Sequence, residues 1–125
     1  MASLNKVMII GNLGADPEMK YTANGNAVTN FNVATNESWT SKDGEKHDRT
    51  EWFTVVTWNR LAETCAQYLE KGRSVYVEGR LETRSWEKDG QKHYRTEVVA
   101  DQVRFLGERG EPREQSYVEP DDLPF

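Results

Sequence analysis

The sequence lacks the features that define several large protein classes. Among its 125 residues there is one cysteine, Cys65, which excludes an internal disulfide framework and is typical of a reducing, cytoplasmic setting. No apolar run is long enough to span a membrane, and the first residues lack the charged-then-apolar pattern of a signal peptide. The apolar residues near Cys65, including Leu61 and Leu69, favour a buried thiol over a reactive one.

Motifs that supply enzymatic chemistry are also missing. The sequence has no GxxxxGK[ST] phosphate loop, no cysteine pair for zinc, no HExxH and no GxSxG. His47 and His93 have no nucleophile or metal-binding cluster beside them in sequence, which favours solvated over catalytic side chains. We therefore expect no catalytic residue, no metal site and no cofactor, and the sequence indicates a binding protein.

Negative charge is concentrated in one part of the chain. The formal net charge is −5, but residues 108–125 hold six acidic residues and two arginines, a net of −4. Residues 1–107 therefore carry a net charge of −1. A nearly neutral body can sort its lysines and arginines onto one face, so the acidic total does not exclude a nucleic acid as the partner.

The body has the pattern of a small all-β domain. Alternating or short apolar runs predict five strands, at residues 6–10, 27–36, 50–58, 75–81 and 96–106. Gly11 and Gly14 are expected to end the first strand, and residues 61–70 have helical spacing with Gly72 as the stop. One helix between the third and fourth of five strands is the order of an OB-fold barrel.

Turn residues predict the hairpins. Asn24-Gly25, Asp43-Gly44 and Asp89-Gly90 suit tight turns because these residues tolerate a positive φ. Two of the turns lie in near-copies of one segment, KDGEKHDRTE (42–51) and KDGQKHYRTE (88–97), which match at eight of ten positions. The similarity has two explanations. Either two β-ribbons use the same turn sequence without a shared function, or the segments are two basic, extended β-hairpin arms that bind a ligand.

Tryptophan is unusually frequent for a chain of this size, with Trp39, Trp52, Trp58 and Trp86. Each ring belongs either to the barrel core or to an exposed stacking platform. Trp39 and Trp86 have polar sequence neighbours, and strand alternation puts Trp52 and Trp58 on the face opposite Phe53. This pattern favours the platform, since aromatic faces beside lysine and arginine suit nucleic-acid bases and phosphates.

The C-terminal segment differs from the body. Residues 108–120 are rich in Gly, Pro, Glu, Arg and Gln and predict a disordered linker after a domain of residues 1–107. The final five residues join two carboxylates to an apolar end, which could dock into a partner's apolar pocket flanked by arginine or lysine. The alternative is a frayed acidic end without a function. The candidate docking residues are Asp121, Asp122, Leu123, Pro124 and Phe125.

Five stretches and the final five residues together resemble one protein family. They are NKVMIIGNLGADPEMKY (5–21), AVTNFNVATNESW (27–39), RTEWFTVVTWNRLAE (49–63), YLEKGRSVYVEGRLETRSW (68–86), YRTEVVADQVRFLG (94–107) and DDLPF. This combination resembles the bacterial single-stranded DNA-binding proteins over almost the whole chain. The resemblance implies a nucleoid-associated OB-fold homotetramer that wraps single-stranded DNA without sequence preference. It also implies that the C-terminal tip recruits replication, recombination and repair proteins.

The resemblance also assigns roles to residues. The family's stacking aromatics fall on Trp39, Trp52, Trp58 (where phenylalanine is usual) and Trp86. Phe53 stands where relatives often have a subunit-interface histidine, which implies an apolar contact less sensitive to pH. The linker of 13 residues is short for the family. The family's phosphate-facing bases fall on Lys6, Lys20, Lys42, Arg60, Lys71 and Arg84.

Two other functions remain open at this level. An OB-fold primosome accessory protein would bind partners and touch nucleic acid only incidentally, but it needs neither the four aromatics nor the DDLPF tip. An RNA chaperone is the third possibility, because no residue pattern distinguishes the 2′-hydroxyl of RNA.

Overall fold

The computed structural model of the chain describes residues 1–106. The predicted linker (108–120) and docking peptide (121–125) lie outside the described residues. The elements are β1 (Val7–Leu13), β2 (Glu18–Tyr21), β3 (Ala27–Thr40), β4 (Lys46–Trp58), α1 (Asn59–Tyr68), β5 (Ser74–Lys88) and β6 (Gln91–Leu106). No helix in this range has the length and apolar content to cross a membrane.

Strand pairing confirms the predicted all-β OB-fold barrel with one helix between its third and fourth barrel strands. The sheet order is β1-β5-β6-β4-β3-β2, and an additional pairing of β1 with β3 closes five of the strands into a barrel. The short strand β2 was not predicted, because all four of its residues are exposed and it has no buried face. It pairs along the outer edge of β3.

The predicted strands are shorter than the observed ones where they meet the hairpin turns. β3 and β4 stay paired from Val28–Trp58 to Thr40–Lys46, and β5 and β6 stay paired out to Lys88–Gln91. The apolar alternation stops where the strands leave the barrel, although backbone pairing continues, and the sequence pattern therefore misses the outer parts. These outer parts are the predicted extended arms.

The three predicted turns are present. Gly25 and Gly44 have φ of 85° and 86°. Asp89 and Gly90 both have positive φ, 53° and 77°, and they alone connect β5 to β6. Two successive positive φ values are typical of a type I′ turn, whose twist matches that of the flanking strands.

The barrel interior is apolar and α1 packs against it. Cys65 and Leu69 belong to one buried cluster with valines of every long barrel strand. The Thr29 hydroxyl donates to the Ala62 carbonyl at 2.7 Å, which ties β3 to the helix. The predicted buried thiol is confirmed, since Cys65 is fully buried. Burial raises the pKa of Cys65 to about 12.

Two glycines allow backbones to approach closely. β1 does not end at Gly11 as predicted but continues to Leu13. A side chain at position 11 would prevent this, because its Cβ would lie 2.2 Å from the Ala34 carbonyl oxygen. Glycine has no Cβ, so the two backbones can approach. At Gly79 a β-bulge skips Asp101 on β6. The extra residue changes which side chains of β6 face the core, from Val98 and Ala100 before the bulge to Val103 after it.

We expect Gly79→Ala to lower the free energy of unfolding by about 3 kcal/mol or more. The new methyl group would lie 2.1 Å from the Val99 carbonyl oxygen, and backbone cannot rotate away as a side chain can. Gly90→Ala is the control, since a Cβ there meets nothing within 4 Å and the positive φ alone costs about 1–2 kcal/mol. Urea unfolding measures both, and equal losses would contradict the collision at Gly79.

Candidate nucleic-acid interface

None of the four tryptophans belongs to the core. Their exposed fractions are 47% for Trp39, 59% for Trp52, 41% for Trp58 and 42% for Trp86. The alternative that these rings fill the barrel is therefore wrong. Each of these indoles therefore has ring surface free for a ligand.

Trp52 and Trp58 stand on the outer face of β4. Strand alternation puts both there, while Val55 points inward and is fully buried. Six residues of strand separate the Cα atoms of the two tryptophans by about 20 Å. The Trp52 ring lies against Gly14: a Cβ built on Gly14 would be only 2.5 Å from the Cζ3 atom of Trp52. Glycine at this position leaves room for the ring.

Trp39 and Trp86 lie in the arms, each stacked on a histidine directly across the ribbon. Trp39 is paired with His47, with ring centroids 5.4 Å apart and planes 20° apart. Trp86 is paired with His93 at 5.7 Å and 21°. The histidines were predicted to be solvated rather than catalytic; each is partly exposed, and its ring stacks on the tryptophan. We infer that the imidazole holds the indole in place and widens the aromatic surface.

The sequence itself contains a signal for these pairs. His47 and His93 occupy the same position in the two near-copies, and a tryptophan precedes each copy. Only the register of the hairpins shows that tryptophan and histidine face each other, because that register depends on the number of residues in each turn.

The faces of the ribbons divide the tryptophans. In the β3–β4 ribbon, the core-facing residues have odd numbers, and strand alternation puts Trp39 on the same face as these residues. Trp39 therefore lies on the face opposite Trp52 and Trp58, which have even numbers. In the β5–β6 ribbon, Trp86 lies on the outer face. β6 pairs with β4 in parallel at Val56–Val99, and this pairing makes the outer faces of the two ribbons continuous. Trp52, Trp58 and Trp86 therefore share one side of the sheet.

All six predicted phosphate-contact residues are exposed, but two of them already have acidic partners. Lys6 is 3.4 Å from Glu78. Arg84 donates a hydrogen bond from Nη2 to Glu97 at 3.2 Å, and its Nε forms an ion pair with the same carboxylate at 2.9 Å. No ion pair is recorded within residues 1–106 for the other four, Lys20, Lys42, Arg60 and Lys71.

Hydrogen bonds shift two pKa values beside Lys6. The Tyr76 hydroxyl donates to Glu78 at 2.6 Å, and this bond raises the pKa of Tyr76 and lowers the pKa of Glu78. At the tip of the β3–β4 hairpin, the Ser41 hydroxyl donates to Asp43 and lowers the pKa of that carboxyl group. The Glu78 carboxylate is thus held in the charged form beside Lys6.

Phe53 is partly buried and packs against the core cluster from β4. Part of its ring remains exposed. Its predicted role at a subunit interface stays a prediction, as do the DNA contacts of the tryptophans and basic residues. Within residues 1–106 no group of three or more His, Cys, Asp or Glu side chains is placed to hold a metal ion.

Residues 4–106 match the sequence model of the single-strand binding protein family. The chain belongs to the single-strand binding protein family. It is 53% identical over 106 residues to the single-stranded DNA-binding protein 1 of Chlorobaculum tepidum, a match that covers 83% of this chain and 65% of that protein. The chain thus spans less than two thirds of this relative's length.

Two solved structures of the family have the same fold. A Plasmodium falciparum SSB in complex with ssDNA has a TM-score of 0.78 at 36% identity, covering 86% of this chain and 98% of that one. A deletion mutant of the single-stranded DNA-binding protein from Thermus aquaticus has a TM-score of 0.76 at 40% identity, covering 86% of this chain and 52% of that one.

Proposed function

We propose that the chain binds single-stranded DNA without sequence preference and protects it, in the cytoplasm and in association with the nucleoid. The observation that carries this proposal is the set of four half-exposed indole rings outside the core. Every base has a π-face, so stacking on indole does not depend on sequence. The name of the C. tepidum relative and the ligand of the P. falciparum structure support the same function.

The positions of the rings favour a strand that wraps around the protein. Trp52, Trp58 and Trp86 share one side of the sheet, and Trp39 lies on the other face of its ribbon. A strand that stacks on all four rings must pass around the edge of the β3–β4 arm. Exposed lysines and arginines would then neutralise the phosphates of this strand; we assign this role to Lys6, Lys20, Lys42, Arg60, Lys71 and Arg84.

We expect Trp58→Ala to weaken the binding of oligo-dT by about 1–3 kcal/mol, roughly 5- to 150-fold, with little change in melting temperature. The reason is that a ring 41% exposed contributes stacking surface rather than core packing. Titration of tryptophan fluorescence measures the affinity, with oligo-U and duplex DNA of equal length as competing ligands.

The control for this variant is Tyr94→Ala, which removes a 65%-exposed aromatic ring outside the proposed set. It should bind oligo-dT as the parent chain does. An unchanged affinity of Trp58→Ala together with a lower melting temperature would make Trp58 a packing residue. Tighter binding to oligo-U than to oligo-dT would favour an RNA chaperone.

We also propose that the chain forms a homotetramer. β1 pairs with β5 along its length but meets β3 only at Asn12 and Leu13, so one backbone edge of β1 is free within the described residues. Met8 and Ile10 on this strand are 64% and 66% exposed. An open strand edge with apolar side chains is a surface that a second copy can cover.

If Phe53 lies at a subunit interface, Phe53→His should make assembly dependent on pH. Histidine titrates near pH 6.5, and a charged imidazole is costly to bury, so the tetramer should dissociate as the pH falls through about 6–7. Native mass spectrometry from pH 5.5 to 8 measures the assembly, and Phe53→Leu is the apolar control that stays tetrameric. Dissociation of both variants to the same extent at all pH values would contradict the protonation effect.

We propose that residues 121–125 are a docking peptide for replication, recombination and repair proteins. Its two carboxylates and its Leu123 and Phe125 suit an apolar slot flanked by basic side chains. Binding of DNA by the body and of proteins by this peptide would then make the chain a scaffold without a reaction of its own.

Phe125→Ala should abolish recruitment of these proteins from a bacterial extract to the immobilised chain. DNA affinity should stay the same or rise slightly at low salt, because the acidic segment has the charge sign of DNA. Tyr117→Ala, an aromatic-to-alanine change in the linker, is the control that keeps recruitment. Loss of DNA binding by Phe125→Ala would contradict the separation of body and peptide.

A further inference from the structure

The two arms are near-copies in sequence but differ in charge at one cross-strand pair. We define the first arm as residues 35–51 of the β3–β4 hairpin and the second arm as residues 82–97 of the β5–β6 hairpin. In both, a Trp–His stack is followed toward the barrel by an arginine on the second strand, Arg49 or Arg95. The residue opposite this arginine is Glu37 in the first arm and Arg84 in the second.

The first arm neutralises its arginine. Arg49 donates from Nη2 to the Glu37 carboxylate at 3.0 Å, directly across the ribbon. The pair has no net charge and lies at the surface, with both side chains about 60% exposed. Such a pair contributes little to stability and leaves no free cation for a ligand.

The second arm places two arginines opposite each other. Like charges at directly opposed positions are destabilising in a sheet. One carboxylate compensates one of them: the Glu97 side chain, 6% exposed, forms an ion pair with Arg84 and accepts a hydrogen bond from its Nη2. No ion pair is recorded for Arg95 within residues 1–106. Two guanidinium groups and one carboxylate leave a net charge of +1 at this point of the arm.

This unbalanced charge adjoins an aromatic ring in an open cleft. Arg84, Ser85, Trp86 and Arg95 line the cleft. The outer face of the second arm continues into the face that carries Trp52 and Trp58. A nucleotide needs the same two elements side by side, a π-face for its base and a cation for its phosphate.

We propose that Arg95, together with Arg84, binds a phosphodiester group of the single strand in this cleft while the adjoining base stacks on Trp86. The second arm then holds both base and phosphate, whereas the first arm offers stacking alone at the equivalent position. Arginine suits this role because its planar fork can donate two hydrogen bonds to one phosphate. The proposal rests on the proposed binding of single-stranded DNA and adds a binding residue to it.

The test compares Arg95→Gln with Arg49→Gln in the full chain. The two variants make the same chemical change, alter the net charge equally and occupy equivalent positions of the two arms. Oligo-dT affinity is measured at several salt concentrations. Arg95→Gln should reduce the slope of log K against log salt by about 0.7, the value of one phosphate contact on a single strand. It should also weaken binding about tenfold at low salt.

Arg49→Gln should keep the parent's slope, since its arginine is already neutralised. Arg95→Lys should restore the slope, because a lysine still supplies one charge. Melting temperatures separate binding from folding: Arg95→Gln removes a like-charge contact and should melt at or above the parent temperature.

Three outcomes overturn the inference. They are equal slopes for Arg95→Gln and the parent chain, equal losses for Arg95→Gln and Arg49→Gln, and equal affinities for Arg95→Lys and Arg95→Gln. A parent chain that does not bind oligo-dT at all would instead overturn the proposed function, so the two failures are distinguishable.

Discussion

The short pairing of β1 with β3 is the interaction on which the rest of the structure depends. It closes the sheet at Asn12–Ala34 and Leu13–Val33, and it is possible because Gly11 has no Cβ to meet the Ala34 carbonyl oxygen. Closure gives every barrel strand one inner and one outer face. The inner faces form the valine-rich core, and the outer faces of β4 and β5 carry three of the four tryptophans of the candidate site.

Period-two alternation connects the core to the site. Val55 is fully buried while Trp52 and Trp58 on the same strand are exposed, so core packing and ring display come from one pattern. Beyond the barrel the apolar alternation ends, but the paired backbone continues into the arms. In the arms, the tryptophan rings are supported by cross-strand stacking on histidine. On the barrel, the Trp52 ring is supported by the Gly14 backbone.

Electrostatics separates two arms that sequence similarity makes alike. The same arginine of the repeat meets glutamate in one arm and arginine in the other. Local charge, rather than the net charge of −5, therefore determines where a phosphate can bind. The ion pair of Arg84 with a buried glutamate fixes the guanidinium in position, and a positioned cation loses less freedom when it meets a ligand.

Much of this protein was determined by the sequence itself. Alternation predicted the five barrel strands, helical spacing predicted α1, and Asp-Gly or Asn-Gly predicted the turns, because each of these signals acts within a few residues. Polar neighbours favoured exposed positions for Trp39 and Trp86. Only the tertiary structure decided the extent of the arms, the fully exposed strand β2, the two Trp–His stacks and the partners of Arg49, Arg84 and Arg95. These features depend on register between strands, and register follows from turn length, bulges and barrel closure together.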